Sequence, residues 1–198
     1  MGLRRVSFGQ TLPLYRFPLL EQAGARHAVT GRGPFQPGPL QTGNLSWTVG
    51  DNEESVRSAR RAVYGALGLD ADRGAAGQQV HGAGVAVIGQ GAGALHHAQG
   101  TPEVDGLVSA NPETGLLVVA ADCTPILLYD PVRRVAATAH AGWRGTVAGI
   151  AGAVVGAMTA AFGCRPADIV AGIGPAIGGC CYEVDEPVLS RLRSALPD

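Results

Sequence analysis

Short apolar runs along this chain alternate with segments in which apolar residues recur at helical spacing. Apolar runs of about 4–8 residues that end in turn residues are typical of buried strands. The predicted strands lie at 25–30, 45–49, 85–88, 105–109, 116–121, 126–129, 134–140 and 168–173. This alternation of strands and helices is typical of an α/β architecture.

Three helices are predicted, two of them between these strands and one after the last strand. Asp51-Asn52-Glu53-Glu54 supplies the polar and acidic residues of a helix start, and apolar residues then recur at helical spacing until Gly68. A second helix is predicted over 145–162, where Gly163 is expected to form a left-handed cap. The final amphipathic segment covers 187–196.

Composition narrows the function classes. The 198 residues fit one domain, 1–198, and with 46% hydrophobic and 16% charged residues the chain can bury a core. A net charge of −1 gives no electrostatic footprint for nucleic acid or an anionic membrane. The sequence has neither a signal-peptide pattern nor an apolar run of about 18–20 residues, so we expect a cytoplasmic protein. In that compartment, its four cysteines are expected to be free thiols or metal ligands rather than disulfides.

The candidate chemistry begins in VAATAHAGWRG at 135–145, where His140 lies at the transition from a strand to a helix. Ligands bind at such transitions in α/β proteins. QVHG at 79–82 and ADCTP at 121–125 place His81 and Cys123 in similar positions. We therefore predict that the three side chains meet.

Two histidines and a cysteine favour Zn²⁺, or copper where redox chemistry is used. Three protein ligands are typical of catalytic zinc, which keeps a fourth position open for water. The sequence contains no C-x-x-C or H-E-x-x-H signature to strengthen the assignment. The same residues could instead form a thiolate nucleophile activated by histidine, without a metal.

Residues beside these ligands have weaker assignments. Arg144 is expected to reach a ligand near His140, because its planar guanidinium suits phosphate or carboxylate. Trp143 could stack on a flat ring, although packing in the core is favoured. Asp122 either caps a turn or orients a metal-bound water or a ligand histidine. Cys180-Cys181 is interpreted as core or pocket-wall thiols, because neighbours in a strand point to opposite faces.

Two further features have a plain interpretation. Arg32 lies in a Gly/Pro loop and is by itself interpreted as a solvated charge. His96-His97 lies in a Gly-rich loop, and adjacent histidines diverge, so the pair is interpreted as an exposed loop rather than a metal site.

The segments QVHG, DGLVS, ADCTPILLYDP, HAGWRGTVAGI and GPAIGGCCYEV resemble the YfiH-like laccase-domain family in content and order. The resemblance covers about Ala25 to Glu186 and implies a layered α/β/β/α sandwich of mixed sheets, also likened to cysteine hydrolases. It implies that His81, Cys123 and His140 are the metal ligands, usually assigned as zinc. The pocket residues that it implies are Arg32, Asn44, Asp105, Asp122 and Arg144. Family members usually continue with a further strand–helix segment, which we expect this chain to lack.

The family was named for multicopper polyphenol oxidase activity, and its members act as purine nucleoside phosphorylases with adenosine deaminase activity. The resemblance therefore implies a metal-dependent enzyme that phosphorolyses adenosine, inosine, guanosine or 5′-methylthioadenosine. Its expected partners are purine nucleosides and inorganic phosphate, without nucleic acid or membrane, in a monomer or homodimer.

Three alternatives stay open. One is a cysteine-type amide hydrolase that edits peptidoglycan precursors, with Cys123 as nucleophile and His140 as base. Another is a non-catalytic metal-binding module. A copper-dependent polyphenol oxidase is least favoured, because five histidines cannot supply several copper clusters.

Overall fold

The computed structural model describes residues 2–6, 13–31, 43–89 and 101–195. The strands are β1 (Arg4–Val6), β2 (Leu14–Arg16), β3 (Val29–Thr30), β4 (Gly74–Ala76), β5 (Val85–Val87), β6 (Gly106–Ser109), β7 (Gly115–Leu117), β8 (Thr124–Asp130), β9 (Val135–Ala141) and β10 (Val170–Ile173). The helices are α1 (Pro18–Gln22), α2 (Glu53–Ala66), α3 (Trp143–Val147), α4 (Ile150–Phe162) and α5 (Glu186–Ala195), with 3-10 turns at Ala71–Arg73 and Pro166–Asp168. Strands and helices are mixed, as expected, but they do not alternate regularly, since β4 to β9 follow one another without a helix among the described residues.

A five-stranded mixed sheet of order β10-β8-β9-β6-β5 forms the centre of the fold. Only its β5–β6 pair is parallel, and β9 lies in the middle. Alternate residues of β9, from Val135 to Ala141, face α4 and pack against Ile150, Val154 and Met158. Because side chains alternate across a strand, His140 points to the opposite face of the sheet.

A second layer of strands covers that opposite face. The parallel pair β4–β7 contributes Ala75 and Leu116 to a cluster with Leu107 and Ile88 of the central sheet region. Helix α2 lies beyond this pair, where Val63 packs with Leu117. Helix α4, the central sheet, the β4–β7 pair and α2 thus form the expected α/β/β/α layers.

The N-terminal residues form a three-stranded antiparallel sheet, β1-β2-β3, whose Leu14 joins Val63 of α2 in one apolar cluster. The buried His27 ring links two segments of the chain that follow β2. Its Nε2 accepts from the Phe17 amide at 2.9 Å, and its Nδ1 donates to the Ala25 carbonyl at 3.0 Å. Phe17 in turn contacts β10, since a Cβ on Gly172 would lie 2.4 Å from the Phe17 ring.

Several sequence predictions differ from the structure, and the strands expected at 25–30 and 116–121 are shortened to β3 and β7. The strand expected at 45–49 is a series of bends, because Asn44 Oδ1 accepts from the Ser46 amide and Ser46 Oγ from the Thr48 amide. Such side-chain bonds compete with strand pairing. The helix expected over 145–162 is interrupted between α3 and α4 at Gly149, whose φ is 79°.

The structure confirms the residues predicted to mark both ends of α2 and the end of α4. Asn52 accepts from the Glu54 and Ser55 amides and caps α2, and Gly68 follows it with a φ of 66°. Gly163 ends α4 in the left-handed region, with a φ of 67°. No helix in the described part of the chain is both long and apolar enough to cross a membrane.

Candidate metal centre

The candidate ligands converge at one end of the central sheet. His140 is the next-to-last residue of β9, and the β8–β9 register pairs it with Pro125. Cys123 directly precedes β8 and therefore lies beside the end of β9. His81 lies in the loop before β5. The ligand atoms of these three residues all lie within 4.8 Å of one another, so one ion can reach all of them.

Asp105 connects two of the three ligands. It directly precedes β6, is 1% exposed, and accepts a hydrogen bond from His140 Nδ1 at 2.8 Å. It also accepts from the backbone amides of Val80, His81 and Gly82, at 3.1, 3.0 and 2.8 Å. One carboxylate therefore orients the His140 ring and fixes the loop that carries His81. Because Nδ1 is engaged, Nε2 is the atom of His140 left to bind a metal.

The surroundings shift the pKa values of Asp105 and Cys123 in opposite directions. Burial raises the pKa of Asp105, but the hydrogen bonds from His140 and the three amides outweigh burial and hold its pKa below the usual value. Burial, together with the negative charges of Asp122 and Asp105, raises the pKa of the Cys123 thiol. Asp105 is therefore a charged acceptor, whereas Cys123 in the metal-free chain favours the protonated form.

Unusual backbone conformations occur beside the ligands. His81 and Asp122 have φ values of 60° and 75°, in a region that non-glycine residues rarely adopt. Such conformations cluster at functional sites because the surrounding structure must hold them. At Asp122 the carbonyl accepts from the Ile177 amide at 3.0 Å, while the side chain is exposed.

Gly142 is a site residue that the sequence analysis missed. A Cβ at this position would lie 3.0 Å from Cys123 Sγ and from His81 Cδ2, and 3.9 Å from His140 Cε1. A Cβ on Gly145 would lie 2.8 Å from the Gly82 carbonyl. Because the two glycines of HAGWRG have no side chain, α3 can begin in contact with the ligand cluster. Their position shortly after His140 was the sequence signal that could have identified them as site residues.

Gln79 is a second missed residue. Its side chain donates from Nε2 to the Val119 carbonyl at 2.7 Å and accepts the Val119 amide at Oε1 at 2.8 Å. This pair of bonds fastens the loop that carries His81 to the segment after β7. The glutamine of QVHG was the signal, since its amide can pair with a backbone in both directions.

Trp143 does not fill the core as the sequence suggested. It begins α3 half-buried, with the Arg144 guanidinium carbon 4.4 Å and the Arg191 guanidinium carbon 5.9 Å from its ring centroid. The reason is its place at the surface end of β9, where the indole lies outside the apolar clusters. Among the described residues, no carboxylate lies within 4.0 Å of the exposed Arg144.

The other candidate residues have different surroundings. Asn44 donates to the Ser46 carbonyl and to Asp51, so its amide stabilises a local turn. Arg32 and the His96-His97 pair lie outside the described residues.

Of the two interpretations of Cys180-Cys181, core thiols are wrong, since both residues are exposed in a turn rather than in a strand, and pocket-wall thiols stay a prediction. The buried thiol is instead Cys164. Burial and a hydrogen bond with Asp130 raise its pKa to about 11.

Comparisons with known proteins identify the family of the chain. The family described as "Multi-copper polyphenol oxidoreductase laccase" matches residues 26–198. Purine nucleoside phosphorylase YlmD of Geobacillus stearothermophilus is 38% identical over 179 residues, covering 88% of this chain and 65% of that protein. Purine nucleoside phosphorylase SCO2081 of Streptomyces coelicolor is 42% identical over 175 residues, covering 88% and 70%.

Two solved structures are similar along most of the chain. YlmD from Geobacillus stearothermophilus aligns with a TM-score of 0.71 at 37% identity, over 81% of this chain and 60% of that one. The Bacillus licheniformis hypothetical protein YfiH aligns with a TM-score of 0.81 at 32% identity, over 98% and 72%. The chain thus spans about two thirds of the length of these relatives. With the family match extending over nearly the whole sequence, the chain belongs to the multi-copper polyphenol oxidoreductase laccase family, the family of YfiH and YlmD.

Proposed function

We propose that this chain is a cytoplasmic, zinc-dependent purine nucleoside phosphorylase that also deaminates adenosine. The observation that carries the proposal is the cluster of His81, Cys123 and His140, which Asp105 orients at a strand end. The relatives named purine nucleoside phosphorylase support the choice of substrate. The proposed substrates are adenosine, inosine, guanosine and 5′-methylthioadenosine, with inorganic phosphate.

The donor set fits zinc. Two imidazoles and one thiolate are ligands that zinc prefers, and three protein ligands are typical of catalytic sites. A carboxylate that accepts the second ring N–H of a ligand histidine, as Asp105 does from His140, is the usual outer partner in such sites. Bound zinc supplies Lewis acidity, which makes a water molecule nucleophilic at neutral pH.

In phosphorolysis, a phosphate oxygen attacks C1′ of the nucleoside while the bond between C1′ and the base breaks, and the departing base takes up a proton. The attacking phosphate is anionic and needs cations to place it. Arg144 is the proposed cation, because its exposed guanidinium follows His140 by four residues and has a planar fork for two phosphate oxygens. By the family resemblance, Arg32 is the second.

In deamination, water adds to C6 of adenosine and ammonia leaves. Asp105 keeps the His140 ring in one orientation and one tautomer throughout, because its carboxylate accepts the hydrogen bond from the protonated Nδ1. Asp122 is the proposed residue that orients the attacking water, because its carboxylate is exposed and directly adjoins Cys123.

The cysteine hydrolase and the multicopper oxidase have less support. A cysteine hydrolase needs a thiolate, yet burial and the neighbouring carboxylates raise the pKa of Cys123. A multicopper oxidase needs several metal clusters, and the described residues bring together one group of three ligands.

The test is turnover of inosine and adenosine by the purified, zinc-loaded chain. We expect hypoxanthine release from inosine that depends on added phosphate, and ammonia release from adenosine that does not. Cys123→Ser should reduce both rates by orders of magnitude, because it removes a proposed ligand. Cys180→Ser, assayed in a reducing buffer, is the matched control and should retain both. Full activity in Cys123→Ser, or inosine cleavage without phosphate, would contradict the proposal.

A further inference from the structure

Cys180 and Cys181 form a pair of adjacent thiols on the protein surface. Their Sγ atoms lie 3.2 Å apart, and both residues are exposed. Consecutive side chains in an extended strand point to opposite faces. Here the backbone turns instead, with the Cys181 amide donating to the Gly178 carbonyl at 2.9 Å, and both thiols therefore lie on the same side.

The segment that carries the pair is fixed to the central sheet. The Gly174 amide donates to the Pro125 carbonyl at 2.8 Å, and the Ile177 amide donates to the Asp122 carbonyl at 3.0 Å. Cys180 follows Ile177 by three residues. The thiol pair therefore belongs to a defined turn rather than to an unattached chain.

We propose that Cys180 and Cys181 are a redox-sensitive dithiol, which a hydroperoxide oxidises to a disulfide between the two neighbouring residues. One thiolate of the pair attacks the peroxide oxygen, the O–O bond breaks, and a sulfenic acid and one water or alcohol result. The neighbouring thiol sulfur then attacks the sulfenic sulfur, the S–O bond breaks, and the proton of that thiol leaves with the oxygen as water. Two thiols lose two electrons, and one peroxide gains them.

Three features of the pair support this reaction. A disulfide bond is about 2.05 Å long, so the two sulfurs have to approach by little more than 1 Å. Exposure gives an oxidant direct access to both. The two sulfurs already face each other across a hydrogen bond, so whichever is oxidised first has the other beside it to complete the disulfide.

A metal site is less consistent with the same pair. Within the described residues, the group of three His, Cys, Asp or Glu side chains in reach of one ion is His81, Cys123 and His140, and it does not include the cysteine pair. The other thiols are poor partners for a disulfide, since Cys164 is 2% exposed and Cys123 belongs to the ligand cluster.

The test counts thiols in the reduced 198-residue chain before and after hydrogen peroxide treatment. We expect the number of free thiols in denaturant to fall from four to two, and dithiothreitol to restore it. Fragment-ion mass spectrometry should place the loss of two hydrogens on Cys180 and Cys181. Cys180→Ser and Cys181→Ser are the matched controls, and neither should form an internal disulfide under the same treatment.

A second measurement does not depend on oxidation. A trivalent phenylarsenical bridges two adjacent thiols, so Cys123→Ser should bind one equivalent that a dithiol displaces and a monothiol does not. Adding Cys180→Ser to this variant should abolish binding. A disulfide to Cys123 or Cys164, or unchanged oxidation in either single control, would overturn the proposal. Neither readout uses catalytic activity, so the result is independent of the proposed function.

Discussion

His140 donates from Nδ1 to a carboxylate oxygen of Asp105 across 2.8 Å, with both side chains almost completely buried. The same carboxylate accepts three amides from the loop that carries His81. Two candidate ligands from distant parts of the sequence therefore share one anchor, and substitutions at that anchor should affect both.

Asp105→Asn should weaken zinc binding by about 10–100-fold. The asparagine keeps one acceptor for His140 but presents an NH₂ group to backbone amides that are themselves donors. Zinc affinity is measured by competition with a chromophoric chelator. Asp168→Asn, on the 3-10 turn before β10, is the matched control and should bind zinc like the wild type. Equal affinity in Asp105→Asn and the control would show that Asp105 does not position the ligands.

Gly142→Ala should push the ligands apart, because its Cβ would lie 3.0 Å from both Cys123 and His81. Overpacking of this kind typically costs about 1–3 kcal/mol, and here we expect part of that cost to appear as weaker zinc binding. Zinc affinity and thermal unfolding are measured together.

The control for this substitution is Gly152→Ala in α4, where a Cβ meets nothing within 4 Å. It should stabilise the fold slightly, by roughly 0.4–1 kcal/mol, and leave zinc affinity unchanged. If Gly142→Ala behaves like Gly152→Ala, the close packing around Gly142 has no role in the site.

Arg144→Gln should raise the KM for phosphate at least tenfold (about 1.4 kcal/mol) while changing the KM for inosine little, since the proposed contact is with the anion. Initial rates measured while phosphate and inosine are varied separately distinguish the two. Arg193→Gln on α5, which removes an exposed guanidinium paired with Glu186, should leave both values unchanged. A loss confined to inosine binding would assign Arg144 to the nucleoside instead.

Acidification should destabilise the fold through His27. Burial lowers the pKa of His27, so the folded chain binds a proton less tightly than the unfolded chain, whose His has a pKa near 6.5. This contribution is complete above the unfolded pKa and decreases as the pH falls below it. Urea unfolding at about pH 7.5 and about pH 5.5 measures the difference, and His27→Gln should show a smaller loss over the same interval. An identical loss in both proteins would exclude His27 as the source.

Local patterns predict much of this fold because they report on single elements. The alternation in β9 placed His140 at a strand end, and the acidic start of α2 and Gly163 marked helix ends correctly. The interruption at Gly149 was not visible, because a positive φ at a glycine depends on how α3 and α4 pack on the sheet.

Long-range pairing explains what the sequence could not supply. Cys123 lies beside His140 because β8 and β9 form a hairpin, whereas His81 reaches them only through the pairing of β5 with β6 and of β6 with β9. The crowding at Gly142 likewise arises from segments far apart in the chain. The expected strand at 45–49 is replaced by bends because Asn44 and Ser46 satisfy the local backbone themselves.

Asp105 also determines when the ligand group is assembled. Its four hydrogen bonds involve only protein atoms, so the His140 ring and the loop of His81 are ordered by folding itself. Small zinc domains, by contrast, remain unfolded until the ion binds. In this chain the proposed zinc would instead bind a site that folding has already formed, and a chelator should therefore remove the ion without unfolding the protein.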